Sequence, residues 1–317
     1  MGRTVIIGSG VVGTATGKGF ADCGHQVTFV DINRDRVEHL RREGFAASGE
    51  IDLAGPPGFI FLTLPTPATA QGYDLSYLDE GVRSVGEALR SAGAFHTVVV
   101  RSTVPPGTCE NRVKPLLEQA SGRKVGDHFA LASNPEFLRA VSAREDFLMP
   151  WMTVIGSRSR RTVERLVALY DGFGGEMRTF ASPAEAEMVK CAHNLFNATK
   201  ISFWNEMWRI GQLLGVGVDQ VAATVAASAE GSINPEYGIR GGKPFGGACL
   251  PKDTRGFLGF AAEIGLEMPV LDGVVRTNDA LVALAAARNG NGNGNGNGNG
   301  NGRRNSTDPL EIQLMST

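Results

Sequence analysis

Arg3-Thr4-Val5-Ile6-Ile7-Gly8-Ser9-Gly10-Val11-Val12-Gly13 is the stretch whose reading decides the fold. A short run of β-forming apolar residues feeds a glycine-x-glycine-x-x-glycine turn. An Ala/Gly-rich segment then reads as a helix to about Cys23. Gln26 to Val30 is a second apolar strand, closed by Asp31, which stands eighteen positions after Gly13 (31 − 13 = 18). Strand, glycine turn, helix, strand and acid together form a dinucleotide fingerprint. The glycines let the backbone approach a pyrophosphate, and the helix N-terminus stabilises the negative charge. Gly8, Gly10, Val12 and Gly13 are therefore cofactor candidates. Asp31 would accept from a ribose 2′-hydroxyl and repel a 2′-phosphate, which favours NAD over NADP. Arg34 and Arg36, close behind, pull the other way.

Outward from this turn, strands and helices alternate. Strands are predicted at Phe59–Leu64, Thr97–Arg101, Phe129–Ala132, Met152–Ile155 and Glu176–Phe180, with helices near 78–92 and 160–170. The expected fold class is α/β: a Rossmann-type parallel-sheet domain over 1–181, followed by an all-α domain with a long central helix. Polar clusters follow several strand ends: Pro65-Thr66-Pro67, Ser102-Thr103-Val104-Pro105-Pro106-Gly107 and Asn134-Pro135-Glu136-Phe137-Leu138-Arg139. In an open parallel sheet that edge is where ligands bind.

From Ser182 the pattern changes. Ser182-Pro183-Ala184-Glu185 reads as an N-cap with a first-position proline, and the helix should run without a break to about Leu214. That length suits the start of a second domain, assigned to 182–288, or the axis of a homodimer. Lys190 and Asn194, four apart, share a face. The apolar neighbours Val189, Cys191 and Leu195 argue that Lys190 is partly buried rather than simply solvated. Further helices are expected at about 218–227, 254–264 and 269–287. Residues 289–302 are seven Asn-Gly repeats with no apolar face to bury, so 289–317 reads as a flexible, disordered tail.

The 317-residue chain has a formal charge of −2, with no basic excess to neutralise a polyanion such as nucleic acid. No apolar run suits a signal peptide or a membrane span. Its four cysteines lie far apart, without metal-ligand spacing or a disulfide framework. A cytoplasmic enzyme acting on a small molecule, with no metal, is the expectation. One cysteine stands out, in Phe245-Gly246-Gly247-Ala248-Cys249-Leu250-Pro251-Lys252-Asp253. A thiol at a helix N-terminus beside a cation should have a lowered pKa. The competing reading is a buried cysteine in a tight turn.

Taken in order, the glycine fingerprint with Asp31, Pro65-Thr66-Pro67, Ser102-Thr103-Val104-Pro105, Asn134 to Arg139, Lys190-x-x-x-Asn194 and Gly246 to Asp253 resemble the UDP-glucose/GDP-mannose dehydrogenase family over about residues 3–288. The resemblance implies NAD-dependent four-electron oxidation of a primary alcohol, in a nucleotide sugar or a smaller sugar or nucleoside alcohol, to a carboxylate. Cys249 would hold the aldehyde as a thiohemiacetal and then a thioester. Lys190 and Asn194 would stabilise the oxyanion, and Asp253 with Thr103 would serve proton transfer. Glu136 would lie near substrate and nicotinamide. By the same carry-over Asp31, Arg36, Thr66, Thr103 and Lys252 would touch NAD. Glu136, Phe137, Leu138, Lys190, Asn194 and Gly246 would touch substrate. The chain departs from the family pattern at Ala140, at Pro150-Trp151-Met152 and at Pro235-Glu236-Tyr237. The Asn-Gly repeat stands where a third, UDP-binding domain would begin. Two alternatives stay open: a single-step β-hydroxyacid-type dehydrogenase using Lys190 and Asn194, and a non-catalytic, NAD-binding truncated homologue.

Overall fold

The computed structural model describes residues 2–70, 72–139, 142–229, 233–234, 243–247 and 250–290; the side chains of 252 and 288–290 are not described. Two compact units are distinguished, Met1–Leu195 and Phe196–Thr317.

The first unit is built on an eight-stranded sheet in the order β10-β9-β8-β7-β4-β1-β2-β3. Its centre comprises β1 (Arg3–Ile7), β2 (Gln26–Val30), β4 (Phe59–Leu62), β7 (His96–Val100) and β8 (Phe129–Ser133), with β3 (Ala46–Ser48) at one edge. These strands pair in parallel. The β5–β6 pair is a separate small antiparallel hairpin, Ala68–Thr69 with Gly72–Tyr73. At the far end β9 (Met152–Gly156) and β10 (Glu176–Phe180) run parallel to each other, but β9 joins β8 antiparallel through Ser133 and Gly156. The predicted alternation did not reveal that reversal, because the link holds only the short helix α5 (Ala143–Leu148).

The sheet is covered on both faces, and the period of two divides its side chains between two cores. Val5, Ile7, Ile60, Leu62, Val98 and Val100 point to one face. Leu78, Val82, Val85 and Leu89 of α3 (Ser76–Ser91) cover it, at the spacing of one helical stripe. The alternate residues Ile6, Phe59, Phe61 and Val99 turn to the other face. There they meet Phe20 of α1 (Val11–Asp22), Phe147 of α5 and Leu166 of α6 (Arg160–Leu169). Each fully buried side chain of this size contributes about 1.5–3 kcal/mol relative to exposure.

Between β2 and β3 lies α2 (Arg34–Arg42), capped by the Asn33 side chain accepting the Arg36 N–H. After β7 the chain forms a π-helical turn, Cys109–Val113, that runs into α4 (Lys114–Ser121). The long helix α7 spans Pro183–Leu214, and the division between the two units falls within it.

In the second unit α8 (Val218–Ser228), α9 (Leu250–Glu263) and α10 (Pro269–Gly290) follow. Helix α9 begins at Leu250, so Pro251 stands in its first turn, where no N–H partner is needed, as the reading of that stretch expects, and the body of the helix follows from about 254. A small core gathers Ile210, Ala261 and Met268. The buried Glu206 carboxylate accepts the free N–H groups of Val270 and Leu271 at the start of α10, at 2.6 and 3.4 Å.

Candidate active site

The glycine turn between β1 and α1 is shaped by what a side chain would strike. A Cβ on Gly13 would stand 1.9 Å from the Gly8 carbonyl oxygen and 2.6 Å from Thr63 Oγ1. Gly8 adopts φ +93°, which L side chains avoid. Gly10 is different: a Cβ there would meet nothing within 4 Å, so this backbone faces open space. The turn opens α1, whose first turn holds no acidic residue. Ser9 Oγ is buried beside it with no hydrogen-bond partner among the described residues.

Asp31, 7 % exposed, receives the Ser9 N–H at 2.6 Å on one carboxylate oxygen and the Asn33 N–H at 2.8 Å on the other. The Arg36 guanidinium lies 3.6 Å from it. These groups open on a cavity of about 620 Å³. Gly8, Gly10, Val12, Asp31, Arg36, Thr66, Thr103 and Glu136 all line it. A cavity of this size, with bare backbone at a helix N-terminus, fits the pyrophosphate of a dinucleotide. The carboxylate at the end of β2 fits its ribose.

The loops after β4, β7 and β8 line one end of the cavity, and α7 meets the last of them through Lys190. Thr66 Oγ1 donates to the Thr103 carbonyl at 2.6 Å, and Ser102 Oγ donates to that of Leu64 at 2.7 Å, which ties the first two loops together. Lys190 is only 5 % exposed, and its Nζ lies 3.1 Å from Glu136 Oε1. The ammonium also sits 5.2 Å above the Phe137 ring. Glu136 Oε2 accepts the Leu138 N–H at 2.5 Å, which fixes the carboxylate. This is a desolvated ion pair, and removing either partner from such a pair costs about 3–5 kcal/mol. Asn194, one turn further along α7, is exposed.

Arg101, 4 % exposed, closes β7 beneath these loops. Its guanidinium donates to Thr16 Oγ1 at 2.9 Å, to Asn134 Oδ1 at 2.7 Å and to the Tyr170 hydroxyl at 3.2 Å, and lies over the Phe147 ring. It holds Asn134, two residues before Glu136, and also lines the cavity. Phe137, Trp151 and His193 form an aromatic cluster alongside, with Trp151 stacked on His193 at 5.4 Å.

Among the described cysteines, burial pushes the thiol pKa up at Cys23, Cys109 and Cys191, and a neighbouring carboxylate adds to it in each case. All three are therefore poor nucleophiles at neutral pH. Cys249 lies outside the described residues, as does the Lys252 side chain. Gly246 and Asp253 are described in the second unit, both exposed. Just before Gly246, the Phe245 N–H donates to Asn278 Oδ1 at 2.7 Å, and Asn278 Nδ2 donates back to the Phe245 carbonyl at 3.2 Å. Gly247 takes φ +76°.

Sequence reasoning did not single out Ser9, Arg101, Tyr77, Glu80 or Ser84, which also border the cavity or its turn, nor Glu187 on α7. Arg101 carried a legible signal, a cation ending an otherwise apolar strand.

Fold and site together define a Rossmann-type, NAD-dependent dehydrogenase. The NAD-binding-domain model of the UDP-glucose/GDP-mannose dehydrogenase family matches residues 2–54 and 57–174, and the family's central-domain model matches 184–280; the chain belongs to this family. It is 35% identical over 303 residues to a GDP-mannose 6-dehydrogenase of Pseudomonas putida, covering 88% of this chain and 68% of the relative. It is 34% identical over 298 residues to the UDP-glucose 6-dehydrogenase AglM of Haloferax volcanii, covering 86% and 69%. Among solved structures it is similar to a GDP-mannose dehydrogenase from Pseudomonas aeruginosa, at TM-score 0.84 and 30% identity over 92% of this chain and 71% of that one. A UDP-glucose dehydrogenase from Pyrobaculum islandicum follows at TM-score 0.68 and 35% identity, over 92% and 72%. Among the described residues no helix is long and apolar enough to cross a membrane.

Proposed function

We propose that the protein oxidises the primary alcohol of a nucleotide sugar, of the UDP-glucose or GDP-mannose kind, to the carboxylate. The observation that carries this reading is the buried Lys190–Glu136 pair, 3.1 Å apart, at the mouth of the cavity that the glycine turn, Asp31 and Thr103 line. The names of the relatives point to the same substrate class. Gly8, Gly10, Val12 and Gly13 would hold the pyrophosphate of NAD, and Asp31 and Arg36 its adenosine ribose. Thr66, Thr103 and Lys252 would line the remaining length. NAD, when bound, accepts the hydride released in each of the two oxidations.

The residues of the chain supply the rest. The Cys249 thiolate adds to the aldehyde carbon, so the half-oxidised sugar stays on the enzyme as a thiohemiacetal and then a thioester. Lys190 and Asn194 donate to the oxygen on which negative charge builds. Asp253, with Thr103 through a water, relays the protons and directs the water that cleaves the thioester and frees the thiol. Glu136, Phe137, Leu138 and Gly246 shape the sugar pocket, with Glu136 holding the Lys190 ammonium in place. The domains of this reading are an NAD-binding domain over 1–181 and a helical domain over 182–288. A cytoplasmic homodimer completes it. Met188 and Leu195, seven apart on one face of α7, are each more than half exposed, apolar surface that suits a two-fold mate.

Purified protein given NAD with UDP-glucose or GDP-mannose is expected to form two NADH per sugar and the uronic acid. Cys249→Ser should stop acid formation. One NADH per sugar with a stable carbonyl product, or acid formation unchanged in Cys249→Ser, defeats the thiol mechanism. Sedimentation as a monomer defeats the dimer.

A further inference from the structure

The carboxylate of Glu187 is 2 % exposed, and no lysine or arginine lies within 4 Å of it among the described residues. Two backbone groups, with the Cys109 thiol beside them, satisfy it instead. The Gly107 N–H donates to Oε2 at 2.5 Å, and the Cys109 N–H donates to Oε1 at 2.8 Å. Burying an unpaired carboxylate is expensive, and capping the π-turn of Cys109–Val113 alone would not require it to come from a helix 78 positions away. What the arrangement achieves is a junction. Gly107 ends the loop that begins at Ser102 and carries Thr103. Glu187 sits three residues before Lys190 and four before Cys191, so all three face the same side of α7.

A second contact makes the same junction: the Cys191 thiol donates to the Val104 carbonyl at 3.4 Å. From the opposite side, Thr66 and Ser102 pin the loop to the segment after β4. The loop is therefore gripped at both ends, with Thr103 between.

We propose that Glu187 is a positioning residue: its carboxylate locks the Ser102–Gly107 loop to α7, so that Thr103 and the Lys190–Glu136 pair keep one register across the cavity mouth. The proposal rests on the site reading above. Placement matters here because a misplacement of about 1 Å in a catalytic group lowers rates roughly 100-fold.

The test uses the full chain with Glu187→Gln, which keeps the shape but turns one acceptor into a donor facing an N–H. Glu187→Asp, which keeps the charge but draws the oxygens back by one methylene, accompanies it and serves if the first does not fold. Hydrogen exchange, read without substrate, should speed about tenfold or more in the 103–109 segment. With NAD and UDP-glucose or GDP-mannose, kcat should fall about tenfold or more, while NADH affinity and the KM for sugar change less than about threefold. Unchanged exchange in 103–109 overturns the proposal. So does a loss of kcat that only follows equal losses of NADH binding and melting temperature. Lys190→Met separates the two claims. If it keeps full turnover, the site reading falls; if it is inactive while Glu187→Gln is fully active, only the role of Glu187 falls.

Discussion

Two glycines in one turn should fail in opposite ways when each is replaced by alanine. A methyl group on Gly13 would lie 1.9 Å from the Gly8 carbonyl oxygen and 2.6 Å from Thr63 Oγ1. Ordinary carbon–oxygen contact is above 3 Å, and the nearer atom is backbone, held by Thr63 Oγ1 at 2.6 Å. Relief requires α1 to move off β1. Overpacking of this kind costs about 1–3 kcal/mol, against at most about 1 kcal/mol regained from alanine's better helix propensity. A unit of this size loses roughly 2–4 °C of melting temperature per kcal/mol, so Gly13→Ala should melt several degrees lower even without cofactor. Gly10 takes φ −70° and has nothing within 4 Å of its would-be Cβ, so Gly10→Ala should leave the cofactor-free melting temperature within about 1 °C. Its methyl group would instead occupy the space meant for the pyrophosphate, and NADH affinity should fall tenfold or more. Differential scanning fluorimetry with and without NADH, plus a fluorescence titration, reads both. A Gly13→Ala protein of wild-type stability, or a Gly10→Ala protein that binds NADH normally, refutes the assignment of packing to one glycine and cofactor approach to the other.

Asp31→Asn retains the shape but presents an amide to one of the two N–H groups now received by the carboxylate. Hydrogen bonds to a charged acceptor are worth about 1.5–3 kcal/mol each. NADH affinity should therefore drop at least tenfold and discrimination against NADPH should narrow, with Arg36 left beside a neutral group; an unchanged affinity ratio contradicts the role of the acid. His96 is buried at the start of β7 and accepts the Gly58 N–H on Nδ1. Burial, aided by the charge of Arg3, lowers its pKa below 6.5. The folded form then binds fewer protons than the unfolded one, so its contribution to stability is present above about pH 6.5 and is lost as pH falls toward the lowered pKa. Urea midpoints from pH 7.5 to 5 should fall less steeply in His96→Asn; identical slopes remove His96 from the acid sensitivity.

What was legible in the sequence was local. The span of α7, Pro183–Leu214, follows from an N-cap, a first-position proline and an unbroken helical pattern, all interactions within a turn or two of chain. Strands β2 and β10 have their predicted limits for the same reason, as bounded runs of β-forming residues. The π-turn at Cys109–Val113 and the hairpin at 68–73 were not legible, because nothing in the local pattern separates them from loop, whereas α2 carried local signals that went unread, the Asn33 cap and the Val37–Leu40 pair.

By itself the sequence determined the glycine turn. Strand, glycines and acid lie within about thirty residues, and a two-stranded parallel unit with its crossover leaves that turn no other shape. Only the tertiary structure decided that Lys190 is desolvated against Glu136. It also decided that an arginine without a carboxylate partner among the described residues underpins Asn134, and that Glu187 closes on Gly107. The reason is distance along the chain: a contact between residues 33 or 80 positions apart depends on the sheet order that brings their loops together, and that order is a property of the packed sheet as a whole, which no local stretch encodes.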